Sequence, residues 1–169
     1  MGQYYKIVNI DKQQYLDTYT FNEGAKLLEF GCSSEGTLTA LAILLADGNG
    51  RGGGDLHSEH PIIGTWAGDR IIVAGDYADE EKFLEIDDAV KFKMLQNDNS
   101  PNVYSYAMEY FEDISEQALT AMLDDRFIYD KYEKTELYGK AKLIFDKVKK
   151  AKQKQEAKQQ AKTKLAKAG

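Results

Sequence analysis

Apolar and polar positions along the chain set out a short strand, a buried helix, further strands and then helices. Residues 3–9 (Q-Y-Y-K-I-V-N) are rich in aromatic and β-branched side chains and read as a first strand, with a turn over 9–12. Residues 13–22 read as a loop with some extended pairing. Residues 25–30, set between Gly24 and Gly31, read as a second strand. Ser33 or Ser34 then precedes a helix over 35–46, in which Leu38, Leu41, Ala42 and Leu45 recur at the spacing of one face. Ile43 and Leu44 fill its flanks, so this helix is expected to be buried nearly all round, stopping at Asp47 and Gly48.

Downstream, residues 62–66 and 69–74 read as two strands of a hairpin joined by Ala67 and Gly68. A short helix is expected at 79–84, an extended piece at 90–95 and a surface loop at 96–102. Residues 103–111 (V-Y-S-Y-A-M-E-Y-F) alternate aromatic and small side chains and read as a long strand. Ser115 begins a helix whose apolar face is Ala118, Leu119, Met122 and Leu123, with Ile114 before it. A last helix, carrying Tyr129, Tyr132, Leu137, Tyr138, Ile144 and Phe145, packs partly on the body. The fold class is therefore α+β: a single domain, mostly antiparallel sheet, with a central buried helix and a C-terminal helical extension.

Composition supports a globular body. The chain has 169 residues, 43% of them hydrophobic, enough for one domain with a real core. Its apolar runs are too short to cross a bilayer, no secretory leader is expected, and the single Cys32 suits a reducing compartment, so the expectation is cytoplasmic. Charge divides the chain more sharply. Residues 147–169 hold nine lysines against one acid, a net of +8 that leaves −14 on residues 1–146 out of a total of −6. An acidic domain over 1–146 thus carries a basic Lys/Ala/Gln-rich tail over 147–169, expected to be a protruding helix or disordered and to bury nothing. The tail reads equally as an electrostatic arm for nucleic acid or an acidic surface and as a solubilising extension.

Candidate chemistry gathers between residues 47 and 80, which hold eight of the fourteen glycines, both histidines, the only tryptophan and Arg51 and Arg70. Residues 50–55 (G-R-G-G-G-D) fit an anion cradle: Gly52, Gly53 and Gly54 let backbone N–H groups converge, Arg51 adds a bidentate contact, and Asp55 closes the loop. It is neither a P-loop, lacking G-K-[ST], nor a dinucleotide fingerprint, since it leaves a helix rather than opening one. The opposing reading is a plain connection between helix and hairpin. His57, Glu59 and His60 match no established zinc spacing and read as a solvated polar segment rather than a metal site. Asp69, Arg70 and Asp76 flank the expected hairpin; as structural residues they cap turns and pair with one another, and as functional ones a carboxylate acts as general base. Trp66 reads as core, with stacking on a nucleobase as its functional alternative.

The stretches G-Q-Y-Y-K-I-V-N-I-D-K, G-R-G-G-G-D-L, P-I-I-G-T-W-A-G-D-R-I and G-D-Y-A-D resemble an uncharacterised family of small bacterial, phage and fungal proteins, across roughly residues 2–125. The resemblance implies a cytoplasmic protein that works alone or on common metabolites, and carries no reaction, cofactor or catalytic residue. Three functions stay open. The first is a non-catalytic binding protein for a phosphorylated or nucleotide-like ligand, using Arg51, Gly52, Gly53, Gly54, Asp55, Trp66, Asp69, Arg70 and Asp76. The second is a protein-interaction module, phage- or host-modulating, whose glycine loop is architectural. The third is a small hydrolase using Asp69, Asp76 or the His57/His60 segment.

Overall fold

The computed structural model describes residues 2–50, 55–56, 59–77 and 103–167. The helix, extended piece and loop expected over 79–102 lie outside these residues, as do Arg51, Gly52, Gly53, Gly54 and His57. The elements run β1 (Tyr5–Asn9), β2 (Gln14–Leu16), a 3-10 turn (Thr18–Phe21), α1 (Leu27–Gly31), α2 (Thr37–Leu45), β3 (Ile71–Gly75), α3 (Val103–Tyr110), β4 (Glu112–Asp113), α4 (Ser115–Asp124), α5 (Arg126–Lys134) and α6 (Gly139–Lys167). The four strands form one sheet in the order β3-β1-β2-β4. β1 is antiparallel to both β2 and β3, with Ile7 opposite Leu16 and Val73, and the short β2–β4 pair is parallel. The fold is a single α+β domain with a C-terminal helix.

Side chains of a strand alternate between its faces, and here both faces are covered. Ile7 and Leu16 face a large core shared with α2, α4, α5 and the start of α6, where Phe30, Leu44, Trp66, Leu119, Met122 and Leu123 are fully enclosed. Val8, Ile10 and Ala74 face a smaller core closed by Val103, Ala107 and Phe111. That second cluster explains a correction. Residues 103–111 are helical for most of their length, not a strand, because their buried positions recur every four residues. Their aromatic content favours a strand, but a helix lying on the sheet places Val103, Ala107 and Phe111 in one row.

Three further expectations change. Residues 25–30 are not a strand. Only Ala25 pairs in extended fashion, its carbonyl accepting from Tyr5 N at 2.8 Å, and the chain then turns into α1, where Glu29 reaches back to Lys26 N at 3.1 Å. The hairpin is also absent: residues 61–68 are consecutive turns lying against the end of α2, and β3 pairs with β1 instead. Gly64 N donates to Ile43 O at 3.0 Å and Trp66 N to Leu44 O at 2.8 Å. A side chain at Gly64 would come within 2.5 Å of Ala46 O, and its φ of +73° favours glycine.

Finally, α2 is buried on one side only. Thr37, Ala40 and Leu44 face the core, whereas Leu38 and Leu45 of the expected face are 37% and 38% exposed and Ala42 is exposed. Its N-cap is Gly36 rather than a serine. The helix around Ser115 and the burial of Ile144 and Phe145 are as expected. The tail does bury something: Val148 is enclosed, and Lys152 donates to Leu123 O at 2.8 Å.

Candidate functional site

Two clefts among the described residues meet at α2, and one of them borders the ends of the glycine-rich loop. The wider, about 900 Å³, opens between α2, the two described ends of the glycine-rich loop and the first turn of α5. The exposed side of α2 supplies Ala42, Ile43 and Ala46, the loop ends supply Asn49, Gly50, Asp55 and Leu56, and α5 supplies Phe127 and Ile128. Ala42, exposed on α2, thus borders this space together with the partly buried Ile43, whereas the exposed Leu38 and Leu45 lie outside it. Its volume falls in the range of small-molecule sites, roughly 300–1,000 Å³.

The two described ends of the loop are joined by a clamp. Asn49 Oδ1 accepts from Leu56 N at 2.8 Å while Asn49 Nδ2 donates to Leu56 O at 3.1 Å. One side chain therefore joins the two ends as a strand partner would, and Gly50, at φ +102°, begins the excursion between them. Phe127 stands at the cleft with 64% of its surface exposed, and Lys131 Nζ lies 4.8 Å from its ring centroid. Its position follows from local rules. Asp125 caps α5 by accepting from Phe127 N at 2.8 Å and Ile128 N at 3.3 Å, and the buried face of the helix then runs through Ile128 and Tyr132. Phe127 falls one position off that face. Among the described lining, Glu35, Asp55 and Asp125 are acidic and no lysine or arginine takes part.

The second cleft, about 310 Å³, is polar and is lined by Glu23, Cys32, Ser33, Gly36, Lys131 and Tyr132 among others. Glu23 organises it. One carboxylate oxygen accepts from Thr37 N at 2.9 Å and from Thr37 Oγ1 at 2.6 Å, and the other from the Ser33 hydroxyl. Glu23 thereby caps α2 from fourteen residues away, doing the work expected of a local serine. Burial pushes its carboxyl above the usual glutamate range, against the pull of the two Thr37 bonds. Glu35 is held low by Lys131 and Ser34. Tyr132 Oη bonds the carbonyls of Phe21 and Glu35, and burial raises its phenol. Glu23, Glu35, Lys131 and Tyr132 of this cleft are thus bonded to the protein itself.

The remaining sequence-chosen residues spread out. Trp66 is fully enclosed, and its indole N–H donates to Gln14 Oε1 at 2.9 Å, so no face of the ring is open to a base. Asp69 accepts from Asn9 Nδ2 at 2.8 Å, with Lys12 Nζ at 3.7 Å. Arg70 pairs with Asp11 rather than with Asp69 or Asp76: its backbone N–H and Nε donate to that carboxylate at 2.7 and 2.9 Å. Asp76 accepts from Tyr4 N at 3.0 Å, at the opposite end of β3. Six residue steps of extended chain separate Arg70 from Asp76, ~20 Å. Of the described site residues, Asp55 alone lines the wide cleft.

Sequence reading missed Phe127, Asn49 and Glu23. Phe127 left a signal, an aromatic one position off an amphipathic face. Asn49 and Glu23 act across loops and left none. No group of three His, Cys, Asp or Glu side chains is placed to hold a metal among the described residues, and no helix there is long and apolar enough to cross a membrane. No family model, curated protein or solved structure matches the chain.

Proposed function

We propose that the chain is a non-catalytic binding module for a small nucleotide-like ligand, held in the wide cleft beside the glycine-rich loop. The observation that carries this reading is the cleft itself: about 900 Å³ of open space bounded by both clamped ends of that loop. Its walls suit a planar, largely apolar group, with the exposed ring of Phe127 as the stacking surface in place of Trp66. Asp55 is the acceptor for sugar hydroxyls. The acidic described lining attracts no phosphate, so the anion falls to Arg51 and the amides of Gly52, Gly53 and Gly54. Asp69, Arg70 and Asp76, tied into the ends of β3, have no part in this site. Their places at opposite ends of β3 count against Asp69 and Asp76 acting as a pair in the hydrolase reading, whose His57 lies outside the described residues.

The test is calorimetry and thermal melting of the full chain against nucleoside mono-, di- and triphosphates. Ligand at about a hundred times its dissociation constant stabilises by ~2.7 kcal/mol, a rise in melting temperature of roughly 5–10 °C for a chain of this size. Phe127→Ala and Arg51→Ala are each expected to abolish the rise. No heat and no shift across the panel would overturn the proposal.

A further inference from the structure

The basic end of α6 is an arm whose inner lysines are occupied and whose outer lysines are not. The helix runs unbroken from Gly139 to Lys167. Its first turns are anchored by Ala141, Ile144, Phe145 and Val148. Lys147 bonds Glu116 at 2.8 Å, Lys149 bonds Glu133 at 2.8 Å, and Lys152 is tied to the end of α4. From residue 153 to 166 every side chain is exposed. Lys150, Lys154, Lys158 and Lys162 follow at four-residue intervals, a slowly turning row spaced ~6 Å along the axis, with Lys164 beside it. None of these five has an acidic partner among the described residues. Lys164 lies twelve residues past Lys152, ~18 Å. That exceeds two screening lengths at physiological salt, ~8 Å each, so the field of the −14 body fades along the row and is weakest at Lys162 and Lys164.

We infer that this arm binds the phosphate backbone of nucleic acid without regard to sequence. Lysine ammonium groups act as point charges on phosphates. The arm has no arginine and no aromatic residue to read or stack bases, and its one large apolar residue is Leu165. A second acidic copy of the chain is the rival occupant. Protein interfaces, however, are depleted of lysine and enriched in aromatics at their cores, and the outer arm offers the reverse. Binding here is independent of the cleft beside the glycine-rich loop.

Fluorescence anisotropy of the full chain with labelled 20-base-pair duplexes of two unrelated sequences, across 50–200 mM KCl, tests the inference. Five phosphate contacts give a slope of about −4.5 for log affinity against log salt, a weakening of ~500-fold over that range. The two sequences are expected to bind equally. Substituting Lys150, Lys154, Lys158, Lys162 and Lys164 by Gln, which keeps helix propensity, should leave the melting temperature unchanged and abolish the salt-dependent binding. Lys147→Gln with Lys149→Gln should leave most of the slope intact. Absent binding at 50 mM KCl would overturn the inference, as would equal binding by the five-fold variant. So would a salt-sensitive dimer in sedimentation that the same variant dissolves.

Discussion

The two clefts differ in how much of their lining is apolar surface left open by the fold. In the polar cleft, Glu23, Ser33, Thr37, Glu35, Lys131 and Tyr132 are bonded to one another or to backbone, and together they seat α2 on the rest of the chain. In the wide cleft, the side of α2 turned from the core and the exposed ring of Phe127 meet open space. Density of ionisable residues is therefore a poor guide to a ligand site. A fold consumes such groups for its own cohesion, and a site needs surface that the fold has not used.

Glu23→Ala sharpens the contrast most. It leaves the buried Thr37 N–H and hydroxyl without their acceptor and should lower stability by about 2–4 kcal/mol, measured by urea unfolding. A loss under ~0.5 kcal/mol, the level of a neutral surface change, would mean the polar network is free to serve a ligand. Asn49→Ala opens the clamp and should cost about 1–2 kcal/mol for its two hydrogen bonds. Because it releases the loop ends, it should also weaken nucleotide affinity in calorimetry, whereas Glu23→Gln should not.

Glu23 also marks the polar cleft by pH. Its carboxyl is raised in the folded chain, so the ionised form is disfavoured there. The resulting stability is present below the usual glutamate range and is lost as pH rises through the raised value. The unfolding free energy of the native chain minus that of Glu23→Gln should therefore fall from pH 4 towards pH 7. A flat difference would contradict the burial of this group. The smallest effect on stability is expected for Phe127→Ala, within about 0.5 kcal/mol, although it should remove ligand binding. A large loss of stability there would make Phe127 a packing residue and dissolve the distinction between the two clefts.

The parts legible in the sequence were those governed by neighbours in the chain. β1, the helix at Ser115 and its face, the enclosed Trp66 and the anchoring of Ile144 and Phe145 all follow from local spacing. Where an element's partner is distant, spacing misleads. Residues 103–111 look extended until Val8, Ile10 and Ala74 ask for a row of side chains four apart. The apolar run of α2 has no contrast between its faces, so nothing local says that Ala40 and Leu44 turn inward while Ala42 turns to the cleft. Of the candidate cleft, Asp55 was singled out by sequence and the walls were not, because α5 arrives some seventy residues later in the chain.

Asn49 has one more consequence. By tying its side chain to both backbone groups of Leu56, it makes the chain between them a closed cassette whose ends are held whatever it contains. Lengthening such a connection costs only about 0.6 kcal/mol per doubling. Foreign peptides of modest length could thus be grafted between Gly50 and Asp55 while the sheet and its helices fold unchanged.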